Sequence, residues 1–426
     1  MGRKQDHRPF LDYRSDIQPY RTHHTKDTLM TLFGYGITTK AIAQKFGNCK
    51  IYDDKFSALT TDKLGNEFHP SENFNPEVMD LEVTSPGIPP AHPLIQKAKH
   101  LVSEYDLFAP DMPFSIWISG TNGKTTTTAM TQALLEKRGS IAGGNIGTPL
   151  ANLDTKAAIW ILETSSFTLH YTNIASPNLY ILLPITPDHV SWHGEFEDYE
   201  KAKLKPLDTM REGEIAIIPK KYANYPTSAM KVTYDTSEDL AKYFDFEIEK
   251  VDFKEPFLTD ALLAMAANKI LFDESDYEKI NSFEIGAHRV EEFTDSKGRI
   301  WVNDSKATNA DATIAAISSY HDKKILLILG GVDKGADLSS LFEVLKGLDV
   351  EIFSIGRNAE KLCTFATAIN KPSHKCQTLE KAIIMIDENY HDNCIALLSP
   401  AAASFDQFSS YVQRGEDFLR FVKNLR

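Results

Sequence analysis

Lys124 follows a glycine turn and precedes a run of threonines, in the order Gly120-Thr121-Asn122-Gly123-Lys124-Thr125-Thr126. These residue types suit phosphate. Glycines let backbone N–H groups turn towards anionic oxygens, and a helix that starts at the loop adds its N-terminal dipole. The lysine can reach β- and γ-phosphates, and the Thr125 or Thr126 hydroxyl can ligate Mg²⁺. Only two residues separate the glycines here, where the commoner phosphate loop has four. Further along, Glu163 closes the apolar stretch 157–163 and His189 follows another at 178–186. A carboxylate at the end of a neighbouring strand commonly holds the metal beside such a loop, and an imidazole from a second strand can join it.

Other candidates are less marked. Asn145 is the lone polar side chain between the glycines of Gly143-Gly144-Asn145-Ile146-Gly147, which reads either as a substrate contact or as a plain turn. Lys203 lies in Tyr199-Glu-Lys-Ala-Lys-Leu-Lys, a spacing that by itself reads as a solvated helix face. Towards the C-terminus, Arg289 sits in Gly286-Ala-His-Arg-Val-Glu. Asp304, Lys306, Thr308 and Asn309 crowd the segment 302–313, and Lys334 and Ser404 each follow an apolar run. Lysines and hydroxyls gathered at several strand ends make a carboxylate-binding edge.

These residues need strands to deliver them. Apolar runs at 29–33, 49–54, 81–87, 112–119, 157–163, 178–186, 213–219, 299–303, 325–331, 351–356 and 394–400 alternate with helical stretches. That alternation predicts α/β units with parallel sheets and ligands beyond the strand C-termini. Three domains are expected: 29–111, 112–285 and 286–426, the last closed by an amphipathic helix around Phe418 to Leu425. Residues 1–28 are polar, rich in Arg and His, and are expected to be a disordered extension without a secretory signal.

Composition narrows the partners. The chain has 426 residues, 42% hydrophobic and 25% charged, with a formal charge of −13. That balance argues against general affinity for nucleic acid or anionic membrane, so an anionic substrate needs a local cationic cluster. The four cysteines are scattered, which argues against a zinc site or disulfide framework and fits a reducing cytoplasm. No apolar run reaches the 18 or so residues of a membrane span.

Taken in order, GTNGKTT, GGNIG, LETSSF, DH, the lysine at 203, HRVE, NDSKATN, LGGVDK and SPAAASFDQF resemble the Mur ligases from about Leu29 onwards. The NDSKATN and SPAAASFDQF segments are similar to the branch that adds D-glutamate. The resemblance implies a Rossmann-like N-terminal domain, a central P-loop ATPase domain and a Rossmann-like C-terminal domain. It implies uridine-nucleotide contacts from Ile37, Thr38, Asp53, Asp54, Ser85 and Gly87, and a muramoyl contact from Asn145. ATP would meet Gly120 to Thr126, Arg289 and Asp304. Thr125, Glu163, His189 and a carbamate formed from Lys203 and CO₂ would hold metal, with two Mg²⁺ ions expected. Lys306, Thr308, Lys334, Ser404 and Phe405 would surround D-glutamate. The implied reaction joins D-glutamate to UDP-N-acetylmuramoyl-L-alanine through an acyl phosphate, in a cytoplasmic monomer. Another Mur-type ligase, a folylpolyglutamate synthase-like amide ligase, and a P-loop switch or motor are the competing readings. The chain departs from the family at Asp260, where an asparagine is expected and no His-Asn pair precedes it. It departs again at Asp54, where a hydroxyl is usual, and at Lys55, where an arginine is. The central domain also looks short between Pro219 and Lys254.

Overall fold

The computed structural model describes residues 30–76, 81–333, 335 and 337–425. The expected N-terminal extension and Lys334 lie outside the described residues. Three six-stranded sheets follow one another along the chain. The first has the spatial order Thr60–Thr61, Glu67–Pro70, Lys50–Asp53, Met30–Phe33, Leu81–Thr84, Leu101–Val102. The second runs Met230–Tyr234, Ile215–Pro219, Leu179–Leu182, Phe114–Ser119, Ile159–Glu163, Ser140–Gly144. The third runs Glu291–Thr294, Ile300–Asn303, Cys394–Leu398, Lys324–Gly330, Val350–Ile355, Ser373–Gln377. Neighbours are parallel throughout, except that Thr60–Thr61 and Glu291–Thr294 join their sheets antiparallel.

The central strands are buried on both faces and their sequences say why. Ile325 to Leu329 are all fully buried, as are Ile116 to Ile118 and Trp160 to Leu162. Continuous apolar runs of this kind need helices on both sides, and the intervening segments supply them. The helix Phe257–Phe272 buries every residue from Asp260 to Asn268 against the helices Lys124–Leu135 and Ser237–Phe244.

Specific hydrogen bonds tie the sheets together. Asp106, after the first sheet, accepts from the backbone N–H groups of Asn173, Ile174 and Ala175 at 2.8, 2.8 and 2.9 Å. Tyr171 donates to the Ile88 carbonyl at 2.7 Å and Lys45 to the Ala151 carbonyl at 2.9 Å. Between the second and third sheets, Asn122 and Asn309 exchange amide hydrogen bonds of 3.2 and 3.1 Å.

Candidate active site

Gly120 follows the strand Phe114–Ser119, and the helix Lys124–Leu135 begins four residues after it. Gly120 and Gly123 have φ of 139° and 82°, which side-chain-bearing residues rarely adopt. A Cβ at Gly123 would stand 2.4 Å from Asp260 Oδ1 and 2.6 Å from Leu183 Cδ2, so only glycine fits this turn. Lys124 Nζ donates to the Gly120 and Thr121 carbonyls at 2.9 and 2.7 Å, and Tyr199 hydrogen-bonds the Thr121 hydroxyl at 3.0 Å. Asn122 is exposed, Lys124 and Thr125 are half-buried and Thr126 is buried.

Glu163 is buried at the end of the adjacent strand. Its Oε1 accepts from Asn145 Nδ2 at 2.6 Å, and its backbone carbonyl accepts from Asn145 N at 2.8 Å. The glycine turn that carries Asn145 therefore faces the phosphate loop's sheet. Glu163 Oε2 is buried without a hydrogen-bond partner. A buried anionic oxygen aimed at no donor is costly, and it fits a cation. Among the described residues no three His, Cys, Asp or Glu side chains group around one point, so a metal here would draw ligands of other kinds. His189 stands at φ 53°, its ring centroid 4.7 Å from that of Phe167 and its Nε2 3.7 Å from Asp188 Oδ2.

Lys203 is 1% exposed, which corrects the reading of a solvated helix face. The helix Phe196–Thr209 buries Tyr199, Ala202, Lys203, Leu204, Pro206 and Leu207, and all of these but Leu204 form a stripe of helical period. Lys203 lies on that stripe and its neighbours Lys201 and Lys205 do not. Its Nζ donates to the Gly120 carbonyl at 2.7 Å. Burial, then the Lys124 ammonium, hold its pKa well below the usual lysine value. Burial depresses Lys124 and Lys306 too, Arg289 adds to the depression of both, and Lys124 adds to that of Lys306. Lys124, Lys306 and Arg289 thus act on one another beside Glu163, an environment suited to a polyanion.

From the third sheet, Asn309 caps the helix Ala310–Ser318 and meets Asn122. Asp304 is buried, accepts from Ser399 Oγ at 2.7 Å, and is pushed up to about 7, burial being the main cause. Lys306 Nζ lies 4.1 Å from the Tyr411 ring centroid. Thr308 and Phe405 are exposed and Ser404 is buried. Ala403 pairs with Val332 as an isolated antiparallel bridge, which joins the loops after two strands. Arg289 lies between His288 and Val290, whose φ values of 65° and 48° fix its position in a tightly constrained linker.

At the first sheet, Asp53 accepts from Tyr35 N at 2.7 Å and Lys55 N at 2.9 Å, while Asp54 meets His92 at 3.1 Å. Ile37 is 76% exposed and Gly87 accepts from Trp192 Nε1 at 3.4 Å, beside half-buried Thr38 and Ser85. This group lies at the strand ends of its own sheet, and through Gly87 it touches Trp192 on the short helix Val190–His193 that follows His189. Asp260, the departure from the family asparagine, sits behind Gly123, bonded to Thr127 Oγ1 at 3.0 Å. Burial pushes it up to about 7. Two residues escaped the sequence reading. Tyr199 was detectable four positions before Lys203 on the same stripe. Arg414, fully buried, carries no local signal.

A phosphate cradle in one parallel sheet, faced by the strand ends of another α/β unit, defines an ATP-dependent ligase architecture of the Mur type. Residues 118–291 match the Mur ligase middle domain, and the chain belongs to the Mur ligase family. It is 52% identical over 400 residues to the UDP-N-acetylmuramoylalanine–D-glutamate ligase of Campylobacter jejuni strain 81-176, covering 93% of this chain and 100% of the relative. The enzyme of the same name from Helicobacter pylori strain HPAG1 is 45% identical over 417 residues, covering 92% and 99%. The fold is similar to MurF ligase from Thermotoga maritima in complex with ADP, with TM-score 0.54, 15% identity and 80% and 88% of the two chains covered. UDP-N-acetylmuramate-alanine ligase from the same organism gives 0.52 at 15% identity, covering 92% and 98%. Among the described residues no helix is long and apolar enough to cross a membrane.

Proposed function

We propose that the chain joins D-glutamate to the free carboxylate of UDP-N-acetylmuramoyl-L-alanine at the expense of ATP, as a monomer in the cytoplasm. Residues 29–111, 112–285 and 286–426 act as the uridine-nucleotide, ATP and amino-acid domains. The substrate carboxylate oxygen attacks the γ-phosphorus, ADP leaves, and an acyl phosphate results. The D-glutamate amine then attacks the acyl carbon, loses a proton, and inorganic phosphate departs from the tetrahedral intermediate. A carboxylate has no leaving group an amine can displace, and phosphorylation supplies one.

The chain's part is positioning and charge neutralisation. The loop Gly120–Thr126 and Lys124 hold the β- and γ-phosphates, with Arg289 and Asp304 on the far side of the nucleotide. Ile37, Thr38, Asp53, Asp54, Ser85 and Gly87 bind the uridine end, and Asn145 orients the muramoyl group. Lys306, Thr308, Lys334, Ser404 and Phe405 receive D-glutamate. Bound Mg²⁺ would neutralise phosphate charge, held by Thr125, Glu163, His189 and a carbamate on Lys203, with the orphan Glu163 Oε2 as the residue-level support. The observation that supports the reading is the direct Asn122–Asn309 contact, between the phosphate loop and the segment that holds Lys306 and Thr308. Phosphate release is expected only with ATP, UDP-N-acetylmuramoyl-L-alanine and D-glutamate together. Brisk release from ATP alone would point to a switch or motor.

A further inference from the structure

Arg414 lies on the helix Tyr411–Lys423 and is 1% exposed. Its guanidinium is spent on two loops. Nε donates to Ser305 Oγ at 3.0 Å and Nη2 to the Ser305 carbonyl at 2.8 Å, while Nη1 donates to the Ala402 carbonyl at 3.0 Å. Ser305 Oγ in turn donates to the Tyr411 carbonyl at 2.8 Å, which closes the tie. Ser305 precedes Lys306 directly, and Ala402 lies two residues before Ser404. Ala401 is held at φ 54°, a conformation that costs energy for any residue with a side chain and persists only where its surroundings enforce it.

The charge itself has no close partner. Among the described residues no ion pair includes Arg414, and the carboxylates that act on it from a distance are Asp406 and Asp304. Each is engaged elsewhere. Asp406 Oδ2 accepts from Arg357 N, and Asp304 accepts from Ser399 and Val290 N. Burial lowers the guanidinium to about 10, still a cation at neutral pH. A buried cation without a counter-ion is unfavourable, because the low-dielectric interior does not replace water. Planar geometry matters as much: three N–H groups diverge to three acceptors, and a lysine ammonium has no such fork.

We propose that Arg414 positions the acceptor site. It fixes the loops that carry Lys306 and Ser404 by holding Ser305 and the Ala402 carbonyl in one register, so that an acceptor amino acid with an extra carboxylate meets a preformed site. This rests on the D-glutamate reading above. Arg414 acts through the loops and does not touch the reacting atoms.

The test is a steady-state comparison of Arg414→Lys, Arg414→Gln and the milder Ser305→Ala, each checked for folding by thermal melting. Both Arg414 variants should raise the KM for D-glutamate at least tenfold, Gln more than Lys, with the KM for ATP within twofold. Acyl phosphate formed from ATP and UDP-N-acetylmuramoyl-L-alanine alone, trapped by borohydride, should persist in them. Ser305→Ala removes one prong and should raise the D-glutamate KM with a smaller loss of Tm than the Arg414 variants, which decides the matter if those fail to fold. D-glutamate KM values within twofold of wild type in folded variants, or parallel rises for ATP and D-glutamate, would overturn the assignment. A wild-type protein whose phosphate release ignores D-glutamate would instead sink the functional reading and leave the Arg414 geometry untouched.

Discussion

Lys203 is where residue chemistry is most exposed to test. An ammonium cannot attack CO₂; the neutral amine can, and it forms a carbamate as its nitrogen bonds the carbon and releases a proton. Burial and the neighbouring Lys124 favour the neutral amine, so the structure removes the obstacle that an ordinary lysine pKa of about 10.4 would impose. Lys203→Ala is expected to lose nearly all ligation while UDP-substrate binding stays normal, and short carboxylic acids in the buffer should restore part of the rate. A variant with near-wild-type turnover would return Lys203 to a packing role, bonded to the Gly120 carbonyl and set over the Tyr199 ring. The residue was legible only through the resemblance. Its lysine-rich neighbours suggested solvent, and the buried stripe at 199, 202, 203, 206 and 207 contradicted them once the helix phase was known.

At the scale of elements, the C-terminal helix does more than close the third sheet. Gly415 is packed so tightly that a Cβ there would stand 2.2 Å from His288 Nδ1. His288 also contacts Asn303 Nδ2 at 2.9 Å, and its carbonyl accepts from Lys306 N at 3.1 Å. Gly415→Ala must therefore move the His288 ring or the helix. Because Arg289 is the next residue, its reach towards ATP should shift as well. The expected outcome is a higher KM for ATP together with a lower Tm, since overpacking costs about 1–3 kcal/mol. An unchanged KM for ATP would uncouple the helix from the nucleotide arm. Most interior strands were readable in advance because burial on both faces demands apolar runs such as 325–329; Glu67–Pro70, second from the edge of the first sheet and only partly buried, was not. The outermost strands were not. Thr60–Thr61, Leu101–Val102, Ser140–Gly144, Met230–Tyr234, Glu291–Thr294 and Ser373–Gln377 all lie at sheet edges. Most are short or polar, the character an edge strand needs to avoid pairing with another chain.

The whole molecule depends on seams between its sheets, and one seam contains a poorly solvated acid. Glu104 is buried beside Leu150 N, at 3.4 Å, and burial pushes it from its ordinary 4.5 up to about 7. The folded chain keeps this proton up to about pH 7, whereas an unfolded chain releases it near 4.5. The native state therefore binds more protons across that window, and stability falls as pH rises through it. Glu104→Gln should melt higher than wild type at pH 8, by up to about 3 kcal/mol at roughly 1.4 kcal/mol per pKa unit. The advantage should fade below pH 4.5. A gain of equal size at every pH would mean that packing, not ionisation, is responsible. Glu104 could not be singled out from sequence, because its burial arises where the first sheet's last helix meets the loop after Asn145, a contact between distant segments.

The tie between Ser305 and Arg414 spans 109 residues, and that distance matters while the chain is being made. Domains form in order during translation, at about 5–20 residues per second. The first two sheets are complete once residue 234 has emerged. The loop around Ser305 must wait for Arg414, on the order of ten seconds after its own synthesis at those rates. A nascent or truncated chain ending before Tyr411 thus has a finished phosphate loop and an acceptor side without its anchor. The acceptor side is the last part of the molecule to mature, and chains damaged at the C-terminal end lose it first.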